Sequence, residues 1–404
     1  MQNWVIMMEN NLQELFMLPT IKRTNCTYFD YAATTFMPES VMNRWRDINE
    51  LCGVSIGRGK SKLTKKADEV IEKSEAAFYD FFGLSQNYSF IYFKNVTEAI
   101  NIIAMALNQQ LKPLDMIVIG PYEHHSNYLP WKRLAKNTGA LLVEIPTDYS
   151  GEIDYSFIER YSNQIKVLSI SAISNSFGHK VDISKISSKL SNQTLFFVDE
   201  SQVAGHNNIP CDTRIDIHFI SSHKMYGPKS IAVAAIHNDL LEEIPPLFLG
   251  GGMVENVGYL DSWASGRKKF FAGTVDVALI AAWAEACRFL SQITYSRIVE
   301  HEKKAKSVIR SVLLENNYKI IETDICSDSI ISFIHKSIHS HDINELLSDK
   351  NIVIRSGNLC SQNSMRKMEL GAINRISFGI SVSSDSLYHL CNTLEELANG
   401  KILF

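Results

Sequence analysis

Lys224 ends a segment built for reactive chemistry. It follows the alternating apolar run Ile215 to Ile220 and the polar trio Ser221-Ser222-His223. The turn residues Tyr226-Gly227-Pro228 come next, then Ser230 to Ile236, a run without charge that reads as a buried strand. A lysine on a tight turn between two buried strands is poorly hydrated. Its pKa falls, and the amine becomes nucleophilic at neutral pH, the state a Schiff-base lysine requires. Ser221 and His223 are residue types that hold a phosphate. A lysine taken alone at a hairpin tip is more often simply solvated, so the remainder of the chain must decide.

Other apolar runs also end in polar groups. Tyr88 to Phe93 reads as a strand and leads into Lys94-Asn95-Val96-Thr97-Glu98, where helical periodicity continues to about Leu107. Asn95 is the expected N-cap. The helix N-terminus makes an anion site from free N–H groups, to which Thr97 adds a hydroxyl; a merely capped helix fits the same pattern. Asp115 to Gly120 is a strand ending at Pro121-Tyr122-Glu123-His124-His125-Ser126-Asn127. The adjacent histidines lack metal spacing for one helix face, and stacking of a ring on a planar cofactor is an alternative use. Ile165 to Ser171 leads to Asn175, and Gln193 to Val198 leads to Asp199-Glu200-Ser201-Gln202. In open α/β sheets, ligands bind beyond the carboxyl ends of the strands. Strands ending near Lys94, Gly120, Asn175, Asp199 and Ser221 therefore deliver polar groups to one edge.

Composition bounds the function. A chain of 404 residues exceeds one simple core, so two or three units are expected. Hydrophobic content of 45% with 21% charge is that of a soluble globular protein. The net charge of -4 argues against a general nucleic-acid binder or a cationic membrane binder. No apolar run approaches a membrane span. Met1 to Met17 reads as an amphipathic helix, lacking the basic start and cleavage site of a signal peptide. Seven cysteines, an odd number without C-x-x-C spacing, fit neither a zinc knuckle nor a disulfide framework, and a cytoplasmic setting is expected. Gly53 to Ser61 is not a phosphate loop, because Val54 stands where the first glycine is required.

The texture changes near Ile293. A charged helix (Glu300 to Glu315) precedes the strands Tyr318–Ile321 and Ser329–Ile334, the helix His341–Leu347, and the segments Ile352–Arg355 and Asn374–Phe378. The expected division is an N-terminal helical segment, 1–27, packed on the small domain; a large domain, 28–292; and a small α+β domain, 293–404. Cys360 lies in a loop of the small domain, Ser356 to Gln362.

Taken in order, these segments resemble the pyridoxal-phosphate-dependent, fold-type I, class V aminotransferase family, and within it the group II (SufS-like) cysteine desulfurases. The likeness runs from about Tyr28 to Leu397. It rests on Asp30-Tyr31-Ala32-Ala33-Thr34-Thr35, Asn95 to Asn101, Glu123 to Asn127 with Pro130-Trp131, Ser174-Asn175, Val198 to Gln202, Ser221 to Pro228, Gly250-Gly251-Gly252, Ala272-Gly273-Thr274 and Arg355 to Cys360. The resemblance implies a mostly parallel seven-stranded sheet covered by helices, a small α+β C-terminal domain, and pyridoxal 5'-phosphate as cofactor. Lys224 would form the Schiff base and shuttle the α-proton. Asp199 would pair with the pyridinium nitrogen, Gln202 would bond the phenolic oxygen, and His124 would stack on the ring. Thr97, Ser221 and His223 would hold the phosphate, with Thr274 reaching a partner subunit's phosphate across a homodimer. Asn175 would lie beside the ring. Arg375 would bind the substrate carboxylate, supported by Arg355. Cys360 would take the sulfur of L-cysteine as a persulfide for a sulfur-acceptor protein, releasing alanine.

Several positions depart from that family. Asn358-Leu359 replace two histidines before the cysteine, Gly57 a substrate-side histidine, Phe271 a glutamate, Val96 a hydroxyl residue, and Glu200-Ser201 a small pair. These bear on substrate rather than cofactor. Alternatives are β-elimination such as C–S lysis, transamination or decarboxylation. A catalytically silent scaffold is a third reading, against which the intact Lys224, Asp199, His124 and Gln202 argue.

Overall fold

A computed structural model describes residues 23–24, 26–54, 56, 59–148, 150–246 and 248–401. The helix expected over residues 1–17, with its packing on the small domain, lies outside those residues, as do Gly57 and Arg58. The described chain begins with β1 (Thr27–Tyr28).

Apolar runs free of charge form the central sheet because both of its faces are covered. Its strands are β2 (Tyr88–Phe93), β3 (Met116–Ile119), β4 (Leu141–Glu144), β5 (Ile165–Ser171), β6 (Leu195–Asp199), β7 (Ile217–Ser221) and β8 (Ala232–His237). The spatial order is β2-β8-β7-β6-β5-β3-β4, and only β8 runs antiparallel to its neighbours. The carboxyl ends of β2, β3, β5, β6 and β7 therefore share one edge, as expected. Register aligns Ser171 with Asp199, and Asp199 with Phe219. The seventh strand, β4, did not announce itself. It is a half-buried edge strand of four residues whose apolar positions do not alternate.

Alternation within β6 divides the core. Phe196 and Val198 pack on one face with the helices Glu39–Cys52, Lys62–Phe82 and Val277–Ile293. Phe197 packs on the other, stacked 5.7 Å from Trp131. Helix Val277–Ile293 is apolar over most of its circumference because it is buried against both flanking helices.

A small hairpin follows, β9 (Val254–Asn256) and β10 (Ser262–Trp263). The C-terminal part forms an antiparallel sheet in the order β11-β12-β15-β14. These strands are β11 (Tyr318–Ile321), β12 (Ile330–His335), β14 (Arg355–Gly357) and β15 (Ile373–Ser377), with β13 (Ile352–Val353) separate. The stretch expected as one element at Ile352–Arg355 thus divides at Ile354. Strand β1 pairs in parallel with β13, and Asp30 bridges Ser377, so the described start of the chain lies against the C-terminal sheet.

Burial holds four histidines neutral. Their pKa values fall from 6.5 to about 3 at His124 and to about 4 at His179, His223 and His301. Unfolding exposes rings that bind protons near pH 6.5, so each contributes a loss of stability as pH falls toward its folded value. His301, whose Nε2 has no partner, sits on the buried face of helix Tyr295–Glu315. His301→Gln should make the fall in urea-unfolding free energy between pH 6 and pH 5 shallower by about 1 kcal/mol. Equal pH slopes for the two proteins would contradict this.

Candidate active site

A cavity of about 330 Å³ opens at the shared strand edge. Lys224, Asp199, His124, Gln202, Thr97, Ser221, His223, Asn175, Arg375, Arg355 and Cys360 all border it. Of the residues expected in the site, Thr274 alone lies elsewhere, on the exposed surface.

Lys224 is placed by a short 3-10 turn, Ser222–Lys224, directly after β7. The turn is completed by Tyr226, which is fully buried and held at φ 64°. That left-handed conformation costs about 1–3 kcal/mol in a bulky residue. It is held from both sides: the Tyr226 N–H donates to Thr35 Oγ1 at 2.7 Å, and Ile380 N–H donates to the Tyr226 hydroxyl at 2.9 Å. Gly205 packs so closely beneath that a Cβ there would lie 2.5 Å from the Lys224 carbonyl oxygen. Trp283 buttresses the next residue, its Nε1–H meeting Met225 Sδ at 3.2 Å. Among the described residues the Lys224 amine donates no hydrogen bond and enters no ion pair. Burial pushes its pKa down, opposed most by the charge of Asp199.

The anion end is the N-terminus of helix Val96–Ala106. Asn95 Oδ1 accepts from Glu98 N–H at 2.8 Å while Glu98 Oε2 accepts from Lys94 N–H at 2.6 Å, a reciprocal cap. Ala99 N–H bonds the Asn95 carbonyl. The N–H groups of Val96 and Thr97 are left without an intrahelical partner beside Ser221 and His223.

The middle of the cavity suits a planar heterocycle. Asp199 is buried, with Oδ1 accepting from Ser201 N–H at 2.9 Å. Gln202 donates Nε2–H to the Ala32 carbonyl at 2.8 Å, which leaves its buried Oε1 without a partner. His124 Nδ1 lies 2.7 Å from Ser126 Oγ and accepts from Ser126 N–H at 3.1 Å, so its orientation is fixed. Its depressed pKa keeps the ring neutral. A free amine, a carboxylate, an orphan amide oxygen, a neutral ring and an anion-binding helix start form one donor set. It fits pyridoxal phosphate.

Two arginines depend on Asp30. Arg375 is buried; its Nη2–H donates to Asp30 Oδ1 at 2.7 Å and its Nη1–H to the Asn175 carbonyl at 2.8 Å. Arg355 donates Nε–H and Nη2–H to Asp30 Oδ2 at 3.0 and 2.6 Å. Each Arg375 terminal nitrogen keeps a second N–H for a ligand.

Cys360 is exposed toward the cavity on a loop held in an uncommon backbone form. Leu359 and Cys360 have φ of 50° and 54° in succession. Asn175 Nδ2–H donates to the Leu359 carbonyl at 2.8 Å, and Ser361 Oγ–H donates to Asn175 Oδ1 at 3.2 Å. Asn175, expected beside the ring, thus uses both amide ends on the cysteine loop. The Leu359 side chain packs in an apolar cluster with Tyr122, Phe177 and Met365.

Other departures also find partners. Phe271 stacks 6.1 Å from Tyr92 and lies 5.7 Å from the Arg267 guanidinium. Glu200 and His218, both fully buried, pair at 2.8 Å behind Asp199. Sequence reasoning assigned no role to Asp30, Gly205 or Glu123. Glu123 is buried, and desolvation raises its pKa to about 7 against the pull of three hydrogen bonds. A carboxylate at the end of a short apolar segment was the available signal for Asp30; nothing local marked Gly205.

The family model described as "Aminotransferase class-V" matches residues 27–390. A probable cysteine desulfurase of Streptomyces coelicolor is 30% identical over 386 residues, covering 92% of each chain. A probable cysteine desulfurase of Pyrococcus abyssi is 28% identical, covering 92% of this chain and 94% of the relative. Among solved structures, the apo cysteine desulfurase of Thermococcus onnurineus NA1 superposes with a TM-score of 0.91 at 27% identity, covering 98% of this chain and 99% of the other.

Asp30→Ala strands the Arg375 cation in the protein interior. We expect a loss of about 3–5 kcal/mol in urea unfolding. A loss below about 1 kcal/mol would show that the pair does not carry the junction.

Proposed function

The chain belongs to the class-V aminotransferases, and from that premise we propose that it is a pyridoxal-phosphate-dependent cysteine desulfurase. The observation that carries this reading is the convergence of Cys360 with Lys224, Asp199 and Arg375 on one cavity. The relatives' names and their coverage over nearly the full chain support it.

Pyridoxal phosphate, when bound, supplies an aldehyde for amine capture and a ring that takes up the electron pair released at an amino acid's α-carbon. Lys224 is the amine of attachment, and its Nζ carries the α-proton, a task for which a depressed pKa is suited. The Asp199 carboxylate would keep the cofactor's ring nitrogen protonated. Gln202 Oε1 would accept from its hydroxyl, and the His124 ring would stack on it. The N–H groups of Val96 and Thr97, with Ser221 and His223, hold the phosphate. Thr274 serves the phosphate of a partner subunit in a homodimer. Arg375, steadied by Asp30, takes the substrate carboxylate with its second N–H pair.

Cys360 attacks as the thiolate on the sulfur of L-cysteine. A sulfur–sulfur bond forms and the substrate's Cβ–S bond breaks, its electron pair remaining with carbon. Protonation of that carbon gives L-alanine, and one sulfur stays on Cys360 as a persulfide for a thiol acceptor. With a large unit of residues 28–292 and a small one of 293–404, Lys224 and Cys360 belong to different units, and the cavity lies between them.

The purified protein should be yellow with cofactor and, under thiol reductant, convert L-cysteine to equal amounts of alanine and sulfide. Cys360→Ser should lower sulfide release by at least about a hundredfold while keeping the visible absorbance. Lys224→Ala should lose that absorbance band. Pyruvate and ammonia as main products, or normal turnover by Cys360→Ser, would overturn the reading.

A further inference from the structure

His125 stands beside the ring-stacking His124, yet it does not border the cavity. Two of its hydrogen bonds run instead to the cysteine loop. The His125 main-chain N–H, which a side-chain substitution keeps, donates to the Cys360 carbonyl at 2.7 Å. Its Nε2 accepts from Gln362 N–H at 3.2 Å. An accepting Nε2 is unprotonated, so the ring is neutral with its hydrogen on Nδ1.

The loop needs such a hold. Leu359 and Cys360 both occupy the left-handed region, where L residues are disfavoured, and neither is glycine. Two such residues in succession relax unless neighbouring groups fix them. The carbonyls of this stretch are held in order: Asn358 by Ser361 N–H, Leu359 by Asn175, and Cys360 by His125. Gln362 begins a short helix, Gln362–Lys367, whose first N–H has no intrahelical acceptor. The imidazole supplies that acceptor from the end of β3, across from the C-terminal sheet.

We propose that His125 is a positioning residue that latches the Cys360 loop to the central sheet, with its neutral Nε2 as the acceptor for Gln362 N–H. The consequence for chemistry rests on the reading that Cys360 is the attacking thiol; the latch itself does not. His125 touches neither the cavity nor the reacting atoms, so its loss leaves the cofactor site intact while the sulfur moves out of its attack position.

The test uses the holoprotein and two variants. His125→Phe keeps a planar ring without an acceptor, and His125→Gln places an amide oxygen near the former Nε2. Hydrogen exchange in the peptide containing Gln362 should quicken by about tenfold in His125→Phe, the worth of one hydrogen bond, and return toward wild type in His125→Gln. The visible cofactor band should be unchanged in both. With L-cysteine, kcat for sulfide release should fall about tenfold in His125→Phe, with KM within about twofold, and recover in His125→Gln. Wild-type exchange in His125→Phe, or quickening of equal size in both variants, would overturn the latch. If exchange follows the expected pattern while the wild type transfers no sulfur to Cys360, the latch stands and the desulfurase reading falls.

Discussion

The buried carboxylate of Asp30 is the constraint on which the site depends. It lies where the start of the described chain bridges the C-terminal sheet, and it accepts from both Arg355 and Arg375. Arg375 reaches onward to the Asn175 carbonyl, beyond the end of β5. Asn175 in turn fixes the Leu359 carbonyl, one residue before Cys360. One carboxylate thus sets the orientation of Arg375 and, through two further bonds, the loop of Cys360. A buried cation is tolerable only when it is paired. Removing Asp30 would cost more than the pair itself contributes.

Three of the nine non-glycine residues with positive φ among the described residues flank Lys224 or form the Cys360 loop. Tyr226 follows Lys224 by two residues, and Leu359 and Cys360 form the thiol loop; all three have positive φ. Each costs about 1–3 kcal/mol and persists only because its surroundings over-determine it. Tyr226 is fixed by Thr35 and Ile380, and the cysteine loop by Asn175, His125 and the apolar cluster around Leu359. The same cluster gives a physical account of one departure from the family pattern. Leucine at position 359 anchors its loop by packing, where a histidine would bring a polar ring.

Much of this was legible in the residues. The five strand ends were readable because each ends a buried apolar run in a polar group, and the parallel sheet brings them to one edge. The Asn95 cap was readable because its side-chain chemistry is local. Edge strand β4 was not, since half-burial erases the pattern. The contacts of Asp30 and His125 were not readable: their partners lie hundreds of positions away in the chain, and no local spacing encodes them. Glu200 stood out as unusual, but its pairing with His218 needed the register of β6 against β7.

The cofactor end is drawn from groups on the central sheet, whereas the thiol comes from the C-terminal sheet and is held across the junction. In the proposed reaction these two sets meet on Cys360. Its most direct test is peptide-level mass spectrometry of the holoprotein after brief exposure to L-cysteine without reductant, followed by alkylation. One added sulfur is expected on Cys360 and none on the other six cysteines. Alanine formation with Cys360 unmodified, or sulfur spread across all the exposed cysteines, would contradict it.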